Sequence, residues 1–426
     1  MFTRLFESLA ATEKLSRVFS DGPVLQAMLD FEAALARAEA KCGVIPEFAA
    51  AAISRAARPE AFDFGELTRL SLRAGTPAIP LVKMLTAQVR AADARAAGFV
   101  HCGATSQDVV DTALVLLLRQ SREILARDHE RLAAALRRLA EEHAGSVMLG
   151  RTLLQPAPPI TFGLKAAGWL GAERRGWQRV ASRFDEALCL QFGGASGTLA
   201  ALGDRGLDVS AALAAELGLV LPDAPWHAHR DRLAALLAAL SIYTASLGKM
   251  ALDIALLMQF EVAEASEPES EGRGGSSAMP HKRNPTGCML TQAAAKRAPG
   301  LLADFIGGMA QEHERAVGGW QAEWPLVSGI VQSAGVALES MTEVAEGLKI
   351  DAVRMRSNIQ ATRGAVFAEK AVVHLAPELG RDAARQKVED AIRETGAPPP
   401  IHGLDEPEAY LGSAEAFRRR LLKENA

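Results

Sequence analysis

The hydrophobic positions of the chain recur mainly at helical spacing. Residues 23–42 follow this pattern and stop at a glycine. Their apolar residues Met28, Phe31 and Leu35 fall on one face, which predicts an amphipathic helix. Residues 109–144 contain neither glycine nor proline, and as one helix they would span roughly 54 Å. A helix of this length predicts an extended helical bundle.

Two further stretches continue the helical pattern. Residues 227–266 are interrupted only by Gly248. Residues 301–348 are also helical in pattern, with a kink or a break expected near Gly318 and Pro325. Alternating, strand-like runs are scarce. The pattern therefore predicts an all-α fold.

The same pattern divides the chain into three parts. We expect an N-terminal helical domain over residues 1–108 and a central bundle of long helices over residues 109–350. A small C-terminal helical domain should follow over residues 351–426, punctuated by a glycine- and proline-rich segment at residues 396–403. A length of 426 residues is sufficient for two or three domains.

The composition argues against several functional classes of protein. The net charge is −4 and no long lysine or arginine block occurs, which argues against a nucleic-acid-binding surface. The four cysteines lie far apart without a CxxC pair, so neither a zinc site nor a disulfide framework is predicted. The N-terminal residues lack the apolar core of a signal peptide, and no run of about 18 apolar residues offers a membrane span. We expect a cytoplasmic protein.

Polar residues concentrate in three segments near the ends of the long helices. The first segment, HCGATSQDVVDT, covers residues 101–112 and directly precedes the longest predicted helix. Its Thr105, Ser106 and Asp108 suit a helix N-terminus, because hydroxyls and carboxylates satisfy the free N–H groups there. The same residues also suit a binding site, and the sequence leaves both interpretations open.

The second segment, GRTLLQPAPP, covers residues 150–159 and lies between two predicted helices, the second of which should begin near Ile160. Arg151, Thr152 and Gln155 are able to hold an anion. They are equally able to close a turn ahead of three prolines, so this segment alone favours neither role.

The third segment, GSSAMPHKRNP, covers residues 275–285 and follows a stretch rich in glycine and acidic residues. The composition predicts a mobile loop before a helix that starts after Pro285, and such a loop can close over a ligand and exclude water. Its hydroxyls are potential proton carriers, while Lys282 and Asn284 are potential anion-binding donors. A solvated surface loop is the less favoured interpretation.

Metal and nucleotide sites have weak support. His227 and His229 are two positions apart without a third histidine or cysteine nearby, so capping or substrate contact is favoured over zinc. The segment FGGASGTLAALG at residues 192–203 has a glycine pattern similar to that of a nucleotide-binding loop, but no βαβ context surrounds it. We expect a close approach of two backbones there.

The three polar segments together resemble the fumarase/aspartase superfamily, whose signature is GSSxMPxKxNP. The resemblance spans nearly the whole chain. It implies a homotetramer with a core of long helices, in which each active site takes the three segments from three subunits. The implied chemistry removes a proton from a carbon next to a carboxylate and expels a leaving group from the neighbouring carbon, or the reverse. The dianionic intermediate must be held by positioned donors.

The resemblance also implies roles for individual residues. The first serine of the family signature is the catalytic base and corresponds to Ser276. The lysine and asparagine that hold substrate carboxylate correspond to Lys282 and Asn284, and the carboxylate-binding Thr-Ser pair to Thr105 and Ser106. The second segment adds the substrate-binding candidates Arg151, Thr152 and Gln155, and further candidates are His101, Ser277, His281 and Arg315.

Departures from the superfamily pattern indicate which branch of the superfamily the chain resembles. Leu153 stands where adenylosuccinate lyases carry a catalytic histidine in GRTHGQ, and GTPAIPLVK at residues 75–83 lacks their histidine-aspartate pair. Five segments instead resemble the 3-carboxy-cis,cis-muconate cycloisomerases, among them PWHAHRDR and the stretch QEHERAVGGWQAEW at residues 311–324. This resemblance implies a lactonising enzyme that needs no metal or organic cofactor.

The implied substrate carries three negative charges, whereas the protein is mildly acidic overall. Local cations must therefore attract it, and the candidates are Lys282, Arg283, Arg151 and Arg315, each of which also suits a solvent-facing position. Two alternatives stay open. One is a lyase that releases fumarate from adenylosuccinate or argininosuccinate, and the other is a non-catalytic structural homologue.

Overall fold

The computed structural model describes residues 5–269, 274–275, 278–279, 281–399, 401, 403 and 406–423. Within these residues the fold is dominated by helices. The helices of the first half are α1 Leu5–Ser8, α2 Glu13–Val18, α3 Asp21–Lys41, α4 Glu47–Ala56, α5 Phe64–Ala74, α6 Ala78–Ala92, α7 Ser106–Glu142, α8 Phe162–Ala187 and α9 Gly206–Leu217. The remaining helices are α10 Asp231–Leu257, α11 Thr286–Gly307, α12 Gly319–Gly347, α13 Ala352–Ala361, α14 Ala368–Leu379, α15 Arg381–Thr395 and α16 Ala414–Leu422.

The strands are few and short. Strands β1 Val147–Thr152 and β2 Gln155–Thr161 form an antiparallel hairpin. Strands β3 Ala265–Ser266 and β4 Lys349–Ile350 form a second antiparallel pair of two residues each. The all-α prediction is therefore confirmed as the fold class.

The chain forms two compact units, and each unit is built from three stretches of sequence. The first unit comprises Met1–Arg127, Gln178–Ala245 and Ala294–Val336, and the second comprises Asp128–Trp177, Ser246–Ala293 and Ala337–Ala426. The boundaries fall inside long helices such as α7 and α8. The division into domains at residues 108 and 350 stays a prediction.

Several predicted helices are confirmed at close to their expected bounds. Helix α7 covers 37 residues and begins three residues before the predicted stretch. Helix α3 matches the predicted residues 23–42 within two residues at its start. Helix α11 begins immediately after Pro285, as expected.

The helix predicted over residues 227–266 is too long at both ends. Helix α10 begins only at Asp231, because the backbone N–H of Trp226 donates to the Gln191 side chain and holds the preceding loop in the first unit. At its other end Ala263 has a left-handed φ of 52°. The helix itself ends at Leu257, and strand β3 begins two residues after Ala263.

The prolines of the second polar segment lie in a hairpin rather than after a simple turn. Thr152 and Gln155 are register partners, and Leu153 and Leu154 form the connection with φ values of 52° and 66°. Positive φ at both positions is typical of Asn-Gly turns and disfavours branched side chains. The next helix consequently begins at Phe162, two residues later than predicted.

Each unit has an apolar core of its own. In the first, α3 packs against α4 and α9, and the buried Phe31 contacts Phe192 edge to face with ring centroids 6.4 Å apart. In the second, β1 packs against α13 through a cluster that includes Val147, Leu149 and Ile359.

Among the described helices, α10 alone has the length and hydropathy of a membrane span. Within its most apolar window, 67% of the residues are buried inside the protein. A core helix has this property, because its apolar side chains are covered by other helices instead of lipid.

Helix α8 starts very close to the end of α7. A Cβ atom at Gly163 would lie 2.7 Å from the Ala140 carbonyl oxygen and 2.8 Å from Ala144 Cα. Gly163 N–H also donates to the His143 carbonyl at 2.9 Å. The absence of a side chain at Gly163 is therefore required for this approach.

We expect Gly163→Ala to lower the free energy of unfolding by about 1–3 kcal/mol, because backbone atoms must move apart to admit the methyl group. Gly168→Ala is the matched control in the same helix, since a Cβ there would meet nothing within 4 Å. The control should be neutral or stabilising by about 0.5–1 kcal/mol. Urea unfolding of both variants is the measurement, and equal stability of the two would contradict the close approach.

Candidate active site

Asp108, in the first turn of α7, is the hydrogen-bond acceptor on which the first polar segment is built. Its side chain is fully buried. Its carboxylate accepts from the backbone N–H groups of Thr105, Gly193 and Gly194 at 2.9–3.0 Å. His227 Nε2 lies 2.7 Å from the same carboxylate. One carboxylate thus ties together residues 101–112, the glycine segment and the PWHAHRD loop.

The helix-capping interpretation of the first segment is confirmed by this geometry. Thr105 precedes the first residue of α7, and Asp108 accepts from its backbone N–H, which is one half of a capping box. Thr105 and Ser106 are only partly buried, so the cap does not remove them as binding candidates.

The glycine segment makes the close backbone approach expected from its sequence. A Cβ atom on Gly194 would lie 2.7 Å from the Gly103 carbonyl oxygen, and one on Gly193 would lie 2.7 Å from Pro225. The two glycines can therefore bring their N–H groups to Asp108, as larger residues could not. Within the described residues no cluster of histidine, cysteine or acidic side chains has an arrangement suited to a metal ion.

A second buried network lies one helical turn further along α7. Arg230 is 1% exposed and donates to Asp111 at 2.7 and 3.0 Å and to Glu323 at 2.7 Å. Trp320 Nε1 donates to Asp111 at 2.9 Å, and the Gln311 amide donates to Glu323 at 2.7 Å. The segment over residues 311–324 is thereby anchored to the start of α7 and α10.

The charges of this network act strongly on one another. Burial lowers the pKa of Arg230, but the Asp111 and Glu323 carboxylates outweigh burial and hold it above its ordinary value. Burial raises the pKa of Glu323 against the opposing effect of Arg230.

Arg315, a substrate-binding candidate, donates to the Gly194 carbonyl at 2.8 Å and so lies beside the segment held by Asp108.

Helix α3 adds two buried acids that the sequence analysis did not identify. Glu32 and Glu39 are each 1% exposed. Glu32 Oε1 lies 2.6 Å from His101 Nδ1, and Glu39 neighbours Cys102. The available signal was that both glutamates fall on the apolar face of a predicted helix, seven residues apart.

Burial governs the protonation of these acids. It raises the pKa of Glu39 to about 8, an effect to which Glu32 adds and which Cys102 and His101 oppose. Burial also raises the pKa of the Cys102 thiol to about 11. At His101 burial lowers the pKa, but Glu32, Asp108 and Glu39 together raise it above its ordinary value.

In the second unit, the hairpin places Arg151, Thr152 and Gln155 at and beside its tip. The Arg151 guanidinium forms a two-point ion pair with the buried Glu264, at 2.7 and 2.9 Å. Asn358 also donates to Glu264 at 2.7 Å. Arg151 therefore has a local counter-charge, whereas Thr152 and Gln155 are exposed at the tip.

Ser276 and Ser277 of the signature segment lie outside the described residues. Of its neighbours, Asn284 donates its backbone N–H to the Gly274 carbonyl at 2.8 Å and its side-chain amide to the Gly275 carbonyl at 3.2 Å. Lys282 is exposed and forms no ion pair with any described residue.

The N-terminus of α11, which follows the signature segment, is held by a buried acid. Glu267 accepts from the backbone N–H groups of Gly287 and Cys288 at 3.0 and 2.8 Å. A carboxylate at this position satisfies free N–H groups and favours the positive end of the helix dipole.

The described candidates fall into two sets, one in each unit. The first set lies around the buried acids Asp108 and Glu32. The second set lies on the β1–β2 hairpin and in the described part of the signature segment. The first set is His101, Thr105, Ser106 and Arg315, and the second is Arg151, Thr152, Gln155, His281, Lys282 and Asn284.

Long helices with polar segments at their ends form the all-α architecture of the fumarase/aspartase fold. A family described as Lyase matches residues 7–300. The chain therefore belongs to this lyase family.

Individual relatives cover almost the whole chain. A 3-carboxy-cis,cis-muconate cycloisomerase of Pseudomonas aeruginosa is 47% identical over 99% of this chain and 96% of its own. The crystal structure of the 3-carboxy-cis,cis-muconate lactonizing enzyme from Pseudomonas putida matches with a TM-score of 0.91 and 43% identity, over 98% of both chains. A nitrosuccinate lyase of Streptomyces davaonensis is 42% identical over 92% of this chain and 84% of its own.

The protonation of Glu39 makes stability depend on pH. The carboxyl stays protonated in the folded protein up to about pH 8 but ionises near its ordinary value of 4.5 after unfolding. The folded state therefore binds more protons in this window, and stability falls as pH rises through it.

Glu39→Gln removes this proton uptake and keeps the shape of the side chain. We expect the variant to gain stability over the parent by about 1 kcal/mol or more between about pH 5 and about pH 8. Denaturant unfolding at both pH values is the measurement. The exposed Glu60→Gln is the control and should show no such gain, and a pH-independent difference for Glu39→Gln would exclude a protonated Glu39.

Proposed function

We propose that the protein converts 3-carboxy-cis,cis-muconate to 4-carboxymuconolactone, a step of protocatechuate degradation. The observation that carries the proposal is the 47% identity to a cycloisomerase of that name over 99% of the chain. The similarity extends to the fold, at a TM-score of 0.91 to a lactonizing enzyme. The reaction needs no cofactor, and we expect it to take place in the cytoplasm.

The chemistry agrees with the residue at the hairpin tip. In the lactonising direction, one substrate carboxylate adds to a double-bond carbon and a proton reaches the neighbouring carbon. The reverse reaction expels a carboxylate, which leaves without needing a proton. Leu153 occupies the position of the acid histidine of adenylosuccinate lyases and is 96% exposed at the tip. The proposed reaction has no need of an acid at this position.

We assign the proton transfer to Ser276, with Ser277 as its neighbour in the same segment. Lys282 and Asn284 would hold carboxylate and developing charge, since preorganised donors stabilise such intermediates. The exposed Lys282 suits this role better than Arg151, whose charge is matched by Glu264. His281 would orient the loop.

The carboxylate-binding role on α7 falls to Thr105 and Ser106, at the N-terminus of a 37-residue helix where backbone dipoles favour an anion. Thr152 and Gln155 at the hairpin would add polar contacts. His101 and Arg315 lie beside the Asp108-held segment and would add positive charge there.

We further propose a homotetramer in which each active site combines segments from three subunits. The hairpin tip supports it, because Leu153 and Leu154 are 96% and 76% exposed in one chain. Adjacent exposed leucines in a left-handed turn suit burial against another subunit. Sedimentation velocity of the purified protein tests this assembly.

A lyase acting on a succinyl compound is the second candidate. The observation that favours it is the 42% identity to a nitrosuccinate lyase, a value close to that of the cycloisomerase. Release of fumarate from nitrosuccinate, adenylosuccinate or argininosuccinate, in place of 3-carboxymuconate turnover, would favour this candidate.

Purified protein should consume 3-carboxymuconate without added metal, measured as loss of diene ultraviolet absorbance. Ser276→Ala should lower kcat/KM by about 10²- to 10⁴-fold, because the proton-transfer group is lost. Ser357→Ala is the control, since this exposed hydroxyl only bonds its own helix at Val353. No turnover by the parent protein would sink the function, and unchanged turnover by Ser276→Ala would exclude Ser276 as the proton-transfer group.

A further inference from the structure

His101 is held by an acid that lies outside all three polar segments. Glu32, on α3, has a side chain with 0% exposure and lies 2.6 Å from His101 Nδ1, while the His101 side chain keeps 18% exposure. Glu32 Oε2 has no hydrogen-bond partner in the described chain. The Glu32 carboxylate is therefore directed mainly at the imidazole.

The backbone at His101 is also unusual. Its φ is 61°, a left-handed value that is uncommon outside glycine. The nearby Gly103 has a φ of 69°, and a Cβ there would lie 2.6 Å from the Leu202 side chain. Such a conformation persists only where surrounding contacts impose it, and it is concentrated at functional sites.

The free edge of the imidazole is the one that can meet a ligand. Glu32 occupies Nδ1, and Nε2 forms no hydrogen bond with any described residue. His101 lies four residues before Thr105, in the segment that Asp108 fastens to the start of α7. A partly exposed donor at this place is suited to an anion.

The titratable groups that face the His101 ring come from two helices and one loop. Glu32 and Glu39 approach from α3 and Asp108 from α7, and all three favour the protonated imidazole, whereas burial opposes it. Cys102, beside Glu39, carries a thiol whose pKa is raised by burial, so it stays neutral. Glu39 itself is mainly protonated at neutral pH.

We propose that Glu32 is a positioning residue that fixes His101 by Nδ1 as an imidazolium, so that Nε2–H donates to one carboxylate of the substrate. This proposal rests on the proposed function, because it takes the tricarboxylate as the ligand. It adds His101 to Lys282 and Arg315 as a positive group proposed to bind the substrate. A neutral imidazole with its one proton on Nδ1, donated to Glu32, would present a lone pair at Nε2 and repel the same carboxylate.

The test is Glu32→Gln, which keeps the size of the side chain and removes its charge. Burial of the ring persists, so the pKa of His101 should fall below that of the parent. Hydrogen–deuterium exchange at the imidazole C2 position, followed by mass spectrometry from about pH 5 to about pH 9, measures this pKa directly.

The kinetic consequence depends on pH. At a pH between the His101 pKa of Glu32→Gln and that of the parent, the parent keeps the imidazolium and the variant loses it. The KM of the variant should be about tenfold higher than that of the parent there. Below both pKa values the imidazole is charged in both proteins and the difference should shrink. A kcat that falls without any change in KM would overturn the proposal, as would an unchanged His101 pKa.

The buried pair His129–Glu173 provides a matched control. Glu173→Gln makes the same chemical change at a histidine outside the three polar segments, and the pH profile of KM should not move. His101→Gln should reproduce the KM increase, and adding Glu32→Gln to it should cause no further increase. Glu32→Asp should restore part of the loss. An additive effect in the double variant would show that Glu32 acts independently of His101.

The proposal can fail separately from the proposed function. If the parent protein does not turn over 3-carboxymuconate, the function fails, and propane-1,2,3-tricarboxylate serves as the binding probe. Calorimetry should then still show weaker binding to Glu32→Gln than to the parent at a pH between the His101 pKa values measured for the two proteins. Equal binding to the two proteins would overturn the role of Glu32.

Discussion

The Asp108 carboxylate is the constraint on which the first set of candidate residues depends. A fully buried carboxylate is tolerated only when donors surround it, and Asp108 has three backbone N–H groups and the His227 ring. These donors come from three loops that are distant in sequence. Any loop that moved would leave part of the charge without donors, so the three loops share one arrangement.

Buried acids also hold other polar groups among the described residues. Glu267 holds the start of α11, Glu264 holds Arg151, and Asp111 with Glu323 encloses Arg230. Removing one partner from such a buried set leaves an uncompensated charge, which is far more destabilising than the loss of an exposed ion pair. The first polar segment and the start of α11 are thus held by buried acids at helix ends, and the second segment is held in its hairpin by Glu264, as a site requires when its donors must be preorganised.

Sequence patterns predicted the long helices well and the polar interior poorly. Helix α7 was predictable because residues 109–144 contain no glycine or proline to break a helix, and the start of α11 because Pro285 precedes it. The β1–β2 hairpin was missed, since a Leu-Leu turn and three prolines carry no hairpin signal. Glu32 and Glu39 were missed because their place on the apolar face of α3 was the only signal in the sequence, and tertiary packing was needed to show that both are buried.

The choice of substrate rests on fewer residues than the choice of fold. The buried carboxylates explain how the segments are held, and a lyase with a different leaving group could use the same supports. What distinguishes leaving groups is whether an acid must protonate them, and at the hairpin tip this chain has Leu153 in place of a histidine. A carboxylate leaves as a stable anion and needs cations more than acids. The imidazolium proposed at His101 and the ammonium of Lys282 are cations, which suits the proposed substrate with its three carboxylates.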